Sequence, residues 1–244
     1  MNRSRDFISI VIPAFNEEDR LPNTVHKIHE YLKERDEKFE IIVVDDGSTD
    51  KTARLVDQLE TTLGDIKLLR NEINRGKGFS VRKGVLASSG SVVVISDADL
   101  STPIEELYKL LPYHEKGFEI VIGSRGLKES DIVERQPWYR ERMGKIFNFI
   151  VRSVAVDNIK DTQCGFKVFR TGAAQKIFRV CRVDRFCFDV EVLFIARKMG
   201  YGIKEVPIKW INSPNSRVRI LRDSLKMFID VFAIRLNWMR GLYK

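Results

Sequence analysis

Histidine and cysteine are scarce in this chain, and their scarcity removes several chemistries at once. There are three of each in 244 residues. His26, His29 and His114 are scattered, and the first two fall on a stretch that reads as a surface helix, so neither a Ser-His-Asp triad nor a histidine-rich metal site is supported. Cys164, Cys181 and Cys187 are odd in number and form no CxxC pair, which fits reduced, structural thiols better than disulfides or zinc ligands. No cysteine has a histidine partner in view for nucleophilic work. No uncharged apolar run reaches the length of a membrane-spanning helix, and the opening MNRSRDF does not have the form of a signal peptide. The GKG at 76–78 lacks the GxxxxGK[ST] spacing and GxGxxG is absent, so neither a P-loop nor a dinucleotide fingerprint is present. Repeats and low-complexity linkers are also missing.

What remains is a soluble globular composition, with 43% apolar and 31% charged residues. The length suits one large domain or two small ones. The net charge of +8 is divided unevenly. Residues 1–122 carry 17 Lys and Arg against 22 Asp and Glu, a balance of −5, whereas residues 123–244 carry 25 against 12, a balance of +13. The second half therefore calls for an anionic partner: nucleic acid, a membrane surface or a phosphorylated substrate.

Strand-like and helix-like segments alternate along the first half. FISIVIP (7–13) precedes a helical spacing of Leu21, Val25, Ile28 and Leu32; FEIIVVDD precedes one containing Leu55, Val56, Leu59 and Leu63. IKLLR, a helix over 81–87, the SVVVIS strand, a helix over 104–111 and FEIVIGSR follow. Such alternation predicts an α/β fold with a mainly parallel sheet flanked by helices. Ligands of these sheets gather beyond the carboxyl ends of the strands. Asn16 and Glu17, Asp45 and Asp46, Asp97 and Asp99, and Ser124 and Arg125 all lie there. In SVVVISDADLS (91–101), a doubly buried strand ends on two carboxylates one residue apart. A solvated strand end is one reading of that pair; a divalent cation held between hard oxygen ligands is the other. After about residue 126 the periodicity loosens into helical basic segments, which predicts elaboration of one domain rather than a second fold.

The ordered set IPAFNEE, VVDDGSTDKT, NRGKGFSVRKGV and DADLS resembles the family 2 inverting glycosyltransferases of GT-A, Rossmann-like fold. The similarity continues through GSR (123–125), DTQCGFKVF (161–169) and FDVEVLFIA (188–196), and these blocks look most like dolichyl-phosphate β-glucosyltransferases and related polyprenyl-phosphate hexose synthases. The resemblance implies a nucleotide-sugar site at Pro13, Ala14, Asn16, Glu17, Asp46, Gly76, Lys77 and Asp97, with carboxylates accepting hydrogen bonds from the base and ribose. It implies Mg²⁺ or Mn²⁺ on Asp97 and Asp99, with Asp99 catalytic through that metal. For Glu17 and Asp46, helix capping around Ser48 is the local alternative, and for the GKG an ordinary turn.

On the acceptor side a sugar hydroxyl needs a general base, whereas a phosphate monoester is already largely dianionic and needs cations instead. Arg125 is the first such cation, by analogy with the family and by its fork geometry, and ERQPWYRERMGK adds Arg135, Arg140, Arg142 and Lys145. Asp189 and Glu191 occupy the family position where a base can sit; for a phosphate acceptor their role is structural or orienting. At the C-terminus Arg219, Arg222, Asp223, Lys226, Asp230, Arg240 and Lys244 share about one third of a helical wheel, with Arg235 opposite. Leu221, Leu225, Phe228, Ile229, Phe232, Leu236, Trp238, Met239, Leu242 and Tyr243 fill the remainder. An interfacial membrane helix and a helix packed on the core both fit this pattern.

The expected organisation is a GT-A domain over 1–218, with a donor half of about 1–125 and an acceptor half of about 126–218, followed by an amphipathic helix over 219–244. The expected activity is transfer of glucose from UDP-glucose, with inversion, to a polyprenyl phosphate, by a peripheral enzyme on the cytoplasmic face of a membrane. Eukaryotic members carry an N-terminal anchor that this sequence does not show, which leaves both dolichyl and undecaprenyl phosphate open. Ser101 stands where some mannose synthases supply a further metal ligand, so GDP-mannose is the alternative donor. Polysaccharide-type transfer to a hydroxyl, and an inactive membrane-binding module, are the other classes. Nucleic acid is not expected as a partner, because interleaved aromatic stacking residues are not evident.

Overall fold

The computed structural model describes residues 6–134, 154–212 and 220–243, with positions 142, 144, 148 and 151 between them; for residues 220–225 only the backbone is described. Seven strands form one sheet in the order β3-β2-β1-β4-β7-β5-β8. They are β1 (Phe7–Ala14), β2 (Lys38–Asp45), β3 (Ile66–Arg70), β4 (Val92–Ile95), β5 (Ile120–Ser124), β7 (Lys167–Arg170) and β8 (Ile203–Pro207). All neighbours run parallel except β7, which lies antiparallel between β4 and β5. A two-stranded ribbon pairs β6 (Asp131–Ile132) with β9 (Lys209–Trp210).

Strand alternation assigns side chains to two cores, one on each face. Ile8, Ile10 and Ile12 of β1 join Ile41 and Val43 of β2 on one face, where α1 (Leu21–Glu34) inserts Leu21, Val25, Ile28 and Leu32 and α2 (Thr52–Leu63) inserts Val56 and Leu59. Val11, Val93 and Ile95 point the other way, against α3 (Lys77–Leu86), α6 (Thr171–Val180), α7 (Phe188–Lys198) and α8 (Ile220–Met239). Every residue of α7 from Phe188 to Ala196 is buried, which is the pattern of a central rather than a surface helix.

Three sequence expectations change. The helix expected over 81–87 starts earlier, at Lys77, because Gly76 takes a φ of +109° and turns the chain into it. The single helix expected over 104–111 is a 3₁₀ turn (Ile104–Glu106) followed by α4 (Leu107–Leu110) and α5 (Pro112–Glu115); Pro112 has no N–H to continue the ladder. The loosely helical second half supplies β7, inside the sheet between β4 and β5. No helix among the described residues is long and apolar enough to cross a membrane.

Candidate active site

The carboxyl ends of β1, β2 and β4 open into a cleft of about 270 Å³. Pro13, Ala14, Glu17, Asp46, Gly76, Lys77, Asp97 and Asp99, all expected from the sequence, line it together with Phe15, Arg20, Asn74, Arg185 and Phe186. Asn16, at φ +54°, braces the rim, its Oδ1 accepting from the Thr49 N–H at 2.8 Å. Glu17 is held by Arg20, whose Nε and Nη2 donate to its two oxygens at 2.7 Å each. Asp46 accepts from Asn71 Nδ2 (2.8 Å) and from the backbone N–H groups of Arg75 (3.0 Å) and Gly76 (2.7 Å). Its carboxylate thereby cinches the turn that delivers Lys77. Capping at the start of α2 falls to Asp50, which accepts from the Thr52 N–H at 2.9 Å, rather than to Glu17 or Asp46.

Asp97 and Asp99 leave β4 side by side. Lys77 Nζ lies 2.5 Å from Asp97 Oδ1, and Arg20 Nη1 lies 3.7 Å from Asp99 Oδ2. Asp99 also accepts from the Ser101 N–H at 3.0 Å. Burial on its own would raise the Asp97 carboxyl; Lys77, with Lys167 and Arg125 further away, holds it below the ordinary range. Burial would likewise lower the Lys77 ammonium, but Asp97 and Asp189 drive it above its usual value. Gly165 closes the cradle from behind: a Cβ there would stand 2.0 Å from Asp97 Oδ2. The donor set is two hard carboxylates with an open side, which suits Mg²⁺ or Mn²⁺ completing its shell from water and phosphate. Among the described residues no cluster of three or more His, Cys, Asp or Glu forms a closed cage.

Arg125 leaves β5 and is locked by Asp161 through Nε at 2.7 Å, Nη2 at 2.9 Å and its own backbone N–H at 3.0 Å. Burial opposes ionisation of both partners, yet each holds the other charged, Asp161 below and Arg125 above its ordinary range. The guanidinium carbon also sits 5.4 Å from the centre of the Trp210 ring. Asp189 is buried against Lys167, whose Nζ lies 2.5 Å from its Oδ1 and also donates to the Cys164 carbonyl. Burial still leaves the Asp189 carboxyl raised. Glu191, two residues on and about 200° round the helix, faces elsewhere. It accepts from the N–H groups of Arg182 (3.0 Å) and Val183 (2.9 Å) and from Tyr243 Oη (2.6 Å).

The description "Glycosyl transferase family 2" matches residues 9–178. A dolichyl-phosphate beta-glucosyltransferase of Dictyostelium discoideum is 35% identical over 98% of this chain and 76% of its own length. The proteins of that name from Homo sapiens and Saccharomyces cerevisiae are 33% and 32% identical, over 97% and 98% of this chain and 77% of theirs. This chain belongs to glycosyl transferase family 2. The fold of this glycosyltransferase is GT-A. It superposes on mannosyl-3-phosphoglycerate synthase from Rubrobacter xylanophilus with a TM-score of 0.71 at 20% identity, covering 97% of this chain and 74% of the other. For glucosyl-3-phosphoglycerate synthase from Mycobacterium tuberculosis, solved with Mn²⁺, uridine diphosphate and glucosyl-3-phosphoglycerate, the TM-score is 0.69 at 20% identity, over 95% and 79% of the two chains.

In the glycosyltransferase the remaining expectations separate. Arg142 is exposed on a helical position, while Arg135, Arg140 and Lys145 lie outside the described residues. All three cysteines are free and buried, and burial pushes the Cys164 thiol up to about 11. At the C-terminus one face of the helix packs on the core, and apolar side chains remain exposed on another. Met227, Val231 and Ile234 pack into the core, and Trp238 meets Phe194 edge-on at 6.1 Å. Phe228, Ile229, Phe232, Leu236 and Met239 face outward. Of the wheel's other members, Arg219, Lys244 and the side chains of Leu221, Arg222, Asp223 and Leu225 lie outside the described residues. Sequence reasoning gave no role to Arg20, Asn71, Asp161, Gly165, Lys167 or Tyr243. Three of these stand in DTQCGFKVF, and the uneven mixture of Asp, Gly and Lys in that block was the available signal.

Proposed function

We propose that this glycosyltransferase moves glucose from UDP-glucose, with inversion, onto a polyprenyl phosphate. One observation carries the choice of acceptor: neither carboxylate of FDVE is available as a base. Asp189 is buried in an ion pair with Lys167, and Glu191 is occupied by Tyr243 and two backbone N–H groups. A hydroxyl acceptor needs a base; a phosphate dianion does not. The names of the sequence relatives support the same class of acceptor and glucose as the sugar.

In this reading the nucleotide lies along the ends of β1 and β2, with its diphosphate near the N-terminus of α3, where the positive end of the helix and Lys77 meet negative charge. Asp97 and Asp99 would hold Mg²⁺ or Mn²⁺, which neutralises charge on the leaving nucleoside diphosphate. Arg125, oriented by Asp161, positions the acceptor phosphate through Nη1, which makes no hydrogen bond among the described residues. A phosphate oxygen attacks the anomeric carbon from the face opposite the diphosphate, the bond from that carbon to the diphosphate oxygen breaks, and UDP departs. Arg142, and Arg140 outside the described residues, are proposed as further cations for that phosphate.

The outward face of α8 would rest on the lipid surface, placing the enzyme peripherally where its acceptor is dissolved. Free, buried cysteines favour the cytoplasmic side. The boundaries at about 125 and 218 serve here as donor, acceptor and interface segments. The test is transfer of radiolabel from a panel of UDP- and GDP-sugars into organic-extractable lipid. Label from UDP-glucose in lipid supports the reading. Label only from GDP-mannose would replace the donor, and label confined to water-soluble polymer would replace the acceptor.

A further inference from the structure

We infer that Lys77 is a stand-in for the metal, so that the divalent cation binds together with the nucleotide and not before it. This inference rests on the donor site proposed above and adds an order of assembly to it. Asp97 and Asp99 stand where a metal would sit, and each, like the buried Asp189, already faces a side-chain cation. Lys77 is on Asp97, Arg20 is near Asp99 and Lys167 is on Asp189. Before the donor arrives, Lys77 offsets Asp97, and Arg20, shared between Glu17 and Asp99, offsets part of the remaining charge, so the field that would attract a dication is weakened. Placing one there beside the ammonium of Lys77 would set two positive groups within a few ångströms of each other, a repulsion that solvent screens only in part at so short a range.

A nucleoside diphosphate changes that balance. Its oxygens bring the negative charge that the cluster lacks and the ligands that two aspartates cannot supply. Lys77 is the first residue of α3, and its backbone is fixed by the Asp46 hydrogen bonds to the preceding turn. A Cβ at Gly76 would stand 2.4 Å from the Asp184 carbonyl oxygen, so this turn has no room to drift. The side chain alone must swing, from Asp97 towards the diphosphate. Metal entry and diphosphate capture are then one exchange of partners: Lys77 gives up a carboxylate and gains a phosphate, and the cation takes the carboxylate.

Electron paramagnetic resonance of Mn²⁺ tests this, because bound and free ion are distinguished without any turnover. Wild-type protein titrated with Mn²⁺ alone should show little bound ion, and UDP should cause uptake. Lys77→Met should bind Mn²⁺ without UDP at least tenfold more tightly than wild type, and Lys77→Met/Asp97→Asn should lose that gain. Lys77→Gln, which keeps a polar side chain at the helix start, is measured alongside, with circular dichroism confirming the fold of each variant. Uptake of Mn²⁺ by wild type without UDP as tight as by the Lys77 variants would overturn the inference while leaving the donor site standing. Failure of wild type to bind Mn²⁺ even with UDP would overturn both.

Discussion

Gly165→Ala should disable the glycosyltransferase without unfolding it. The added Cβ would stand 2.0 Å from Oδ2, 2.6 Å from Cγ and 2.9 Å from Oδ1 of Asp97, whereas real contacts of this kind begin at 3.0 Å. The carboxylate must retreat by about 1 Å to clear it, and in retreating it shifts its contact with Lys77. Gly165 is only half-buried and is not among the positive-φ residues, so alanine fits the backbone there without strain. A misplacement of about 1 Å in an active site costs roughly 10²-fold in rate, or about 2.7 kcal/mol of barrier. Transfer of label from UDP-glucose into lipid gives the rate, calorimetric titration of UDP with Mn²⁺ gives the ground-state binding, and a thermal melt gives the fold. The expected result is a melt near wild type with the rate and metal-assisted UDP binding both reduced. A variant that melts normally and transfers within a factor of about three of wild type would refute the reasoning, because the position of Asp97 would then not matter.

Asp99→Asn should abolish transfer and weaken donor binding, with a chelator doing the same to wild type; activity surviving both would remove the metal from the mechanism. Arg125→Ala should impair use of the lipid phosphate more than nucleotide binding, by an amount on the order of 1.5–3 kcal/mol for a charged hydrogen bond. An unchanged acceptor Michaelis constant and turnover would move Arg125 out of the site. The rate should rise with pH through about 6, as the acceptor phosphate becomes a dianion, and then level off. Asp97 and Asp161 are held below the ordinary carboxylate range, so the stability and donor binding they support are complete at neutral pH. That support fades only as pH falls through their lowered values, beneath the phosphate step. Asp189→Asn should keep much of the rate if folded, and a loss of two to four powers of ten with donor binding intact would favour a hydroxyl acceptor instead. Phe228→Glu/Phe232→Glu should reduce sedimentation with lipid vesicles while leaving the melt near wild type, since both rings face outward; undiminished sedimentation would place the membrane contact elsewhere.

The cleft at the ends of β1, β2 and β4 was legible because its information is local. A run such as VVVI followed by DAD tells of a strand and of what lies at its end without reference to any distant residue. The ion pairs beside it join residues that are far apart in the chain: Arg125 with Asp161, and Lys167 with Asp189. Periodicity says nothing about such pairs, and a lysine in KVFR reads as a solvated face when it is in fact wholly buried. The start of α3 was misplaced because two glycines flank Lys77 and argue against helix, while the hydrogen bonds from Asp46 that set the turn come from another strand end. The C-terminal helix posed a choice between core and membrane. The structure shows the core contact, and the apolar arc is wide enough to leave Phe228 and Phe232 exposed on another side.

The place of β7 has a consequence for how the molecule can be made. β4 and β5 never touch; each pairs with β7, from opposite sides. A nascent chain that has just finished β5 therefore holds a strand with no partner, because both of its neighbours, β7 and β8, are still to be synthesised. Until they emerge, IVIGS offers two open edges to any other chain. Ribosomes add residues over seconds, slow enough for such an edge to meet a chaperone or a second copy. A fragment cut after the donor motifs would stay in that condition permanently. The motifs that line the cleft can be read in the first half of the sequence, but the sheet that displays them closes only once the second half has arrived.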